Sequence, residues 1–600
     1  MRIDLERHLF PSAEAEKGEL SRYYQTLSEL EALRGTVGAS AHGLLRTLRL
    51  SDRATSQFMR HYTYLYLRHA VDTTDETSER ESSQLDAEFG KRTAFLRQEW
   101  AQIDDQVLEQ LAKQLPALEA YRFAIESARR HRPYMLPVDE EEALSITWPL
   151  ACEWQYGLYR KLVGRTRFQR VITPDGELDP YRQRTAIGGN LDRSVREAGF
   201  KKLYEGYADH RDLYAFALIA LVRARNRLAQ QHRFEDTPDQ VYFASYWSKT
   251  QVTALLHEIA ELAGVYLRYQ RLRADYARSQ LGYPEICIWD VASSLSGQDV
   301  PRFTLEQART IIQEALAPFG SEFGRELGLL LDPAQGRMDI MPTCNRLPGG
   351  FSKGFPGMPS FLFSGGFEGY YNDVRVLTHE ATHAVHRQLM TNAHVLPAYA
   401  EGPHFLFESF SILSELLLAD YCYQHQTDAL ARRYFLEQFF DGKGMAMFFI
   451  AQDAALEQAI YEGVEEGGIG SADDLDAVTK QISARYSIWP DRHDELKMRW
   501  ITNSLFYADP IYNINYVYGA VLALKYYELL HRDPQKFAPR YIALLKNGFD
   551  APPDLLIKRF LDLEPDYPVL AQDAARLLDA KVGLLAMEPR SGKSTTTAAG

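Results

Sequence analysis

The sequence predicts a mainly α-helical protein with a small β-sheet beside a metal-binding helix. Three observations carry this. Long stretches follow the helical period, among them "QVLEQLAKQLPALEAYRFAIESARRHR" (106–132) and "LYAFALIALVRARNRLA" (213–229). Strand-like stretches are few and short: "EICIWDVA" (285–292), "RMDIMPT" (337–343) and "SFLFS" (360–364). Third, "RVLTHEATHAVHRQL" (375–389) sets three histidines and a glutamate into an otherwise amphipathic helix. Polarity of that density on a helix face is costly unless something binds it.

The helices begin early. Residues 20–130 read as long, charged helices, and a second helical block spans roughly 191–281. The chain's 600 residues exceed what one core usually serves, so more than one domain is expected. A hydrophobic content of 46% is that of an ordinary globular protein, and the net charge of −14 argues against a nucleic-acid binder. Cys152, Cys287, Cys344 and Cys422 are widely spaced with no CxxC, which suits a reducing compartment and suggests neither a disulfide framework nor a cysteine metal site. No apolar run reaches the length of a membrane span, and "MRIDLERHLF" lacks a signal-peptide core. A cytoplasmic protein with no membrane partner is expected. The tail "EPRSGKSTTTAAG" (588–600) is poor in apolar residues and is expected to be disordered.

His379 and His383 are four apart, so on a helix they stack one turn from each other, where both imidazoles reach one ion. Glu380 lies between them, offset around the helix. This HExxH pattern predicts two zinc ligands and the general base of a metallopeptidase. A metzincin would continue with glycine and histidine where this chain has His386 and Leu389, so the third ligand lies elsewhere. The apolar helix "FLFESFSILSELLLADY" (405–421) offers Glu408 and Glu415 on one face with Ser411 between them. Seven residues rise about 10.5 Å, so only one of the two carboxylates ligates; the other takes the free N–H of a ligand histidine. Glu401, in the helix-breaking "YAEGPH" connection, is a weaker candidate.

Two further stretches stand out. Gly349–Gly369 holds seven glycines where the chain-wide rate of 38 in 600 would place one or two. Such density signals a mobile loop or close approach of backbone to something else, and Gly365 and Gly366 are candidate substrate contacts. Within it, "SFLFS" reads as a short edge strand able to pair with an extended peptide. Downstream, "FYADPIYNINYVYGAVLALKYY" (506–527) concentrates Tyr507, Tyr512, Tyr516 and Tyr518. Tyr512 and Tyr516 share a helix face, and their phenols are candidate donors to an oxyanion, with Tyr507 a further substrate-binding candidate.

The order of these features resembles the thimet oligopeptidase and oligoendopeptidase F family of zinc peptidases, especially its oligoendopeptidase F branch. The likeness covers roughly residues 110–585 through "YRFAIESARRHRPYMLPVDEEEALS", "NLDRSVREAGFKKLYEGY", "IWDVASS", "GGFSKGFPGMPSFLFS", "DVRVLTHEATHAVH" and "FESFSILSE". It implies a two-lobed helical shell around a deep channel that admits short peptides. It also implies one zinc per chain held by His379, His383 and Glu408, with Glu380 as base and Glu415 behind the ligands. The interval from His379 to Glu408 agrees with the family's spacing. Two departures are visible. Ala381 and Thr382 stand where the family usually has the middle residues of HEFGH. No histidine lies between His493 and His531, where relatives carry one before the tyrosine cluster; Tyr507 falls near that place. The expected division is an N-terminal helical domain (1–190) and a catalytic domain (191–587). The expected function is a zinc-dependent oligoendopeptidase acting on short unstructured peptides. The rivals are a zinc-containing peptide-binding or weakly active relative, and a zinc hydrolase of a non-peptide amide.

Overall fold

Helical periodicity over most of the chain is matched by helices throughout the computed structural model, which describes residues 2–174, 176–291 and 301–588. The tail from residue 589 and Ala292–Val300 lie outside the described residues. Contacts sort the chain into two units. One comprises Met1–Met135, Pro301–Leu418 and Leu529–Pro565; the other comprises Leu136–Val300, Ala419–Glu528 and Asp566–Gly600. This partition differs from the expected break near residue 190: the first break follows Met135, and each unit draws on three separate segments. Helical period reports which face of a helix is apolar but not which distant segment covers it.

In the first unit, helix α1 (Ala41–Val71) starts at Ser40, whose hydroxyl accepts from the Gly43 N–H at 3.1 Å. Its Leu44, Leu48, Phe58 and Leu65 face a core shared with Tyr23, Leu27 and Leu30. Each such buried side chain contributes about 1.5–3 kcal/mol relative to exposure. Tyr62 and Tyr66 lie on the half-buried flank with rings 5.8 Å apart.

The same unit holds a three-stranded sheet of β1 (Met338–Asp339), β2 (Gly350–Phe355) and β3 (Met358–Ser364), in the order β1-β3-β2. β1 pairs with β3 in parallel, and β2 and β3 form an antiparallel hairpin with Phe351 opposite Phe363 and Lys353 opposite Phe361. Pro356-Gly357 closes it; Gly357 has φ +95°, as the third residue of a type II turn requires. The expectation that "SFLFS" is the edge strand is therefore corrected. That segment is the central strand, with Phe361, Leu362 and Phe363 fully buried, and β2 is the edge.

The pairing decides which groups β2 presents. Leu362 donates its N–H to the Arg337 carbonyl on the β1 side, so Phe361 and Phe363 turn theirs to β2. Gly365 N–H donates to the Gly349 carbonyl, extending the alternation. Phe351 and Lys353 thus bond inward, and Gly350, Ser352 and Gly354 turn their main-chain groups to the outer edge.

In the second unit, Val171–Thr173 and Gly176–Leu178 form a small hairpin, and the helix Arg193–Ala208 is capped by Asp192, which accepts from the Ser194 N–H at 2.8 Å. The strand expected over 285–292 is instead a short helix, Ile288–Val291, with Ala292 outside the described residues. Asp290 accounts for the difference. Its carboxylate accepts from the Cys287 N–H at 2.9 Å, pinning a helical turn, and bridges Arg193 (2.9 Å) and Arg196 (3.1 Å). Cys152, Cys287, Cys344 and Cys422 are free thiols. No described helix is long and apolar enough to cross a membrane.

Asp290 is fully buried, and the Arg196 side chain is only 2% exposed, whereas that of Arg193 is 28% exposed. Arg196→Met should therefore destabilise this unit by about 3–5 kcal/mol, because it strips a buried charge of its deepest partner. Arg193→Met should cost distinctly less. Urea titrations followed by tryptophan fluorescence would rank the two; equal effects would contradict the burial argument.

Candidate metal centre

Helix α2 (Tyr371–Asn392) carries the HExxH motif. Ala381 and Thr382 are fully buried, and the Thr382 hydroxyl donates to the Thr378 carbonyl at 2.9 Å, satisfying itself within the helix. The unusual middle pair leaves the helix continuous. His379 and His383 meet edge to face with ring centroids 4.8 Å apart, and their Nε2 atoms approach to 3.2 Å.

Helix α3 (His404–Gln424) supplies the carboxylates. Glu408 Oε2 lies 3.5 Å from His379 Nε2, and its Oε1 lies 4.0 Å from His383 Nε2. Glu415, two turns on, takes the other side of the same imidazole: its Oε1 is 2.6 Å from His379 Nδ1. Arg375 donates to the second Glu415 oxygen, and the Ser411 hydroxyl donates to the His379 carbonyl at 3.0 Å. Glu401 is outside this cluster, exposed and paired with Arg387 at 2.7 Å.

These residues fit a cation. With the Nδ1 proton given to Glu415, His379 presents a lone pair at Nε2. That lone pair faces His383 Nε2 and Glu408 Oε2, a buried oxygen without a hydrogen-bond partner. One nitrogen or oxygen from each of His379, His383 and Glu408 lies within 4.8 Å of the others, close enough to share an ion. Convergent acceptors in a half-buried site repel one another unless a positive charge sits among them. The protonation energetics agree. Burial lowers the pKa of His379, but the hydrogen bond and charge of Glu415, with Glu408 and Glu380 behind it, raise it overall. Burial and the charges of Glu408 and Glu415 likewise raise Glu380 above the usual carboxylate range, with His379 opposing.

His386, the third histidine, is not part of the centre. It is 1% exposed, among Phe407, Phe410 and Phe549, and burial pushes its pKa down to about 3, so it is neutral.

The glycines of this segment meet different neighbours. A Cβ on Gly365 would lie 2.6 Å from the Leu347 carbonyl oxygen, and one on Gly366 would lie 3.2 Å from Pro342 Cβ. At both positions glycine is required by the chain's own neighbouring segment, Leu347 beside Gly365 and Pro342 beside Gly366. Gly350 is the glycine at the site. A Cβ there would lie 2.9 Å from Val376 Cγ1 and 3.1 Å from Glu380 Cγ, so its absence lets the edge strand pass against α2. Gly354 makes room first for Ser360 of β3 and then for Arg387, whose Cβ would lie 3.1 Å from a Cβ there. The alternation of Gly350, Ser352 and Gly354 was the available signal, obscured by the general glycine richness.

The tyrosines belong to the second unit. Tyr512 and Tyr516 are half-buried, with ring centroids 5.4 Å apart and nearly perpendicular. Glu457 holds the turn before them by accepting from the Ile511 N–H at 2.7 Å and from Asn513 at 3.2 Å; Ile511 sits at φ +60°. Tyr518, on another face, is buried and stacked on Trp247 at 3.7 Å. Tyr507 is 1% exposed, stacks on Tyr159 at 4.2 Å and donates its hydroxyl to the Tyr214 carbonyl at 3.3 Å. A group so enclosed offers no surface to a peptide, which corrects its reading as a substrate contact.

Comparison with known proteins agrees with the motif. The model of peptidase family M3 matches residues 335–572, and a model described as oligopeptidase F matches 99–150. Oligopeptidase PepF of Bacillus subtilis is 23% identical over 96% of this chain and 85% of its own length. An oligoendopeptidase F homolog of Lactococcus lactis is 22% identical over 92% of each. Among solved structures, oligoendopeptidase-F from Enterococcus faecium superposes with a TM-score of 0.69 at 19% identity, over 95% of this chain and 98% of that one. A protein from Chlamydophila abortus superposes with a TM-score of 0.83 at 20% identity over 98% of each. At these identities the structural likeness speaks for the fold: mainly helical with small sheets.

The geometry assigns different costs to the two carboxylates. Glu408→Ala should abolish retention of a divalent metal ion through dialysis, whereas Glu415→Ala should weaken it about 10–100-fold by freeing the His379 ring. Elemental analysis of the dialysed variants checks this, and the reverse order would exchange the two roles.

Proposed function

Given that the chain is a metallopeptidase of family M3 related to oligoendopeptidase F, we propose that it is a zinc-dependent oligoendopeptidase of short, unstructured peptides. The observation that carries the reading is the convergence of His379, His383 and Glu408 beside Glu380, with Gly350 of the edge strand β2 lying against that glutamate. A peptide laid along β2 finds the main-chain groups of Gly350, Ser352 and Gly354, which bind backbone with little demand on side chains. Only chain not already committed to its own secondary structure can pair this way.

Zinc held by the three ligands supplies a Lewis acid for the carbonyl and for water. The protein's own groups do the rest. Glu415 fixes the His379 ring and its tautomer, and Arg375 fixes Glu415. Glu380, with its raised pKa, accepts the proton of the attacking water at its carboxylate and returns it to the leaving amine. Tyr512 and Tyr516 donate to the oxyanion, a role that rests on the resemblance to the family. Cleavage of a mixed peptide library that stops on adding chelator tests the proposal; no chelator-sensitive cleavage would leave a peptide-binding protein.

Glu380→Gln should keep its metal and lose about 10²–10⁴ of its turnover, since an amide cannot accept the proton. Full turnover in a zinc-loaded sample would remove Glu380 from the mechanism. Tyr512→Phe and Tyr516→Phe should lower kcat by about 10²–10³ with KM nearly constant, as expected of donors used only in the transition state. Tyr518→Phe should do neither. Steady-state kinetics with melting curves alongside would separate these cases, and unchanged kcat in both would return the pair to packing.

A further inference from the structure

The edge strand carries a cation that nothing in its own unit neutralises. Half-buried lysines elsewhere meet carboxylates: Lys249 reaches Asp236 at 2.6 Å, Lys525 reaches Asp573 at 2.8 Å and Lys581 reaches Asp420 at 2.9 Å. Lys353 does not. Its ammonium lies over the rings of Tyr66 (4.4 Å) and Tyr62 (5.2 Å) on α1, and it forms no ion pair or hydrogen bond among the described residues. The side chain is half-buried, and burial together with the nearby charge of Arg387 lowers its pKa to about 8, against the opposing charge of Glu401. Glu401 itself is engaged by Arg387. Holding a cation on two phenol faces and away from carboxylates leaves its strongest interaction unmade.

The register says where a partner would come from. Phe351 and Lys353 bond inward to β3 and point their side chains to the α1 face; Phe351 packs on Tyr66 at 5.0 Å. Gly350, Ser352 and Gly354 turn their backbone outward. In a strand added at that edge, the residue directly opposite Lys353 points its side chain to the same face, with Cβ atoms about 5 Å apart. The ladder keeps regular register from Gly350 to Lys353 and shifts only beyond it. That residue therefore lies three positions along from the one facing Gly350, which is where Glu380 sits.

We propose that Lys353 is a specificity-determining residue that pairs with a carboxylate of the bound peptide, three positions from the residue beside Glu380. The proposal rests on the peptide-binding reading of β2. The carboxylate can be an Asp or Glu side chain, or the peptide's own carboxyl terminus falling at that position.

End-blocked neutral peptides with a single Glu or Gln scanned across five positions on either side of the cleaved bond test it, with a parallel set carrying a free or amidated carboxyl terminus. Cleavage is read as kcat/KM. Binding is read separately, by fluorescence anisotropy on Glu380→Gln protein, so that a failure of hydrolysis remains distinct from a failure of recognition. Glu should outperform Gln about three- to ten-fold in binding at one position on one side, and less in high salt. The ratio should fall to near one in Lys353→Met, invert in Lys353→Glu with Lys-bearing peptides gaining, and persist in Lys353→Arg. A preference confined to the free carboxyl terminus would identify the terminal carboxylate as the partner. A Glu/Gln ratio near one at every position, with no effect of the free carboxyl terminus, would overturn the proposal. So would a preference that survives Lys353→Glu.

Discussion

The hydrogen bond between Glu415 and His379 Nδ1 is the interaction on which the centre depends. One helix, α3, offers two carboxylates separated by two turns, and the spacing lets them grip opposite nitrogens of a single imidazole. Ser411, between them, takes the backbone carbonyl of the same residue. The face of α3 is thus complementary to His379 as a whole. Without the Nδ1 bond the ring is free to rotate or change tautomer, and the lone pair facing His383 and Glu408 is lost. Arg375 steadies Glu415 from the helix that carries the histidines, so the arrangement closes on itself across α2 and α3.

A second constraint is steric. The edge strand packs against α2 and β3 as closely as it does because Gly350 lacks a side chain where Val376 and Glu380 stand, and Gly354 where Ser360 and Arg387 stand. The inward-bonded residues between them are large, and Phe351 and Lys353 reach the aromatic flank of α1. Small residues on one face bring the main chain to Glu380, and large ones on the other fasten the strand to the core. The same alternation turns the backbone of the small residues to the outer edge, so approach to Glu380 and availability for pairing have one cause.

The departures from the family pattern are accommodated locally. Thr382 closes its hydroxyl on the preceding turn, and Ala381 is small enough to be fully buried, so the HExxH helix runs unbroken. Tyr507, which falls near the position of the absent histidine, is committed to an aromatic stack with Tyr159 and to the Tyr214 carbonyl. It packs the second unit and leaves Tyr512 and Tyr516 as the half-buried members of their cluster.

Local chemistry was legible without coordinates. A spacing of four put two histidines on one helix face, a spacing of seven put Glu408 and Glu415 on another, and the rise of the helix required the two acids to act differently. Helical period and scarce strand signals gave the fold class, because both follow from side-chain patterns within a few residues. What the sequence could not contain was partnership at a distance. It did not show that Asp290 would be claimed by Arg193 and Arg196 and so bend a strand-like stretch into a helix. Nor did it show that "SFLFS" would be flanked on both sides, making Gly350–Phe355 the edge. The glycine richness of 349–369 was visible, but whether a glycine lay against Glu380, as Gly350 does, or against the chain's own carbonyl, as Gly365 does, depended on what the fold brought beside it. Burial settles such matters, and burial is a property of the assembled structure: the same phenol is a core group at Tyr507 and a half-buried one at Tyr512 because different segments cover them.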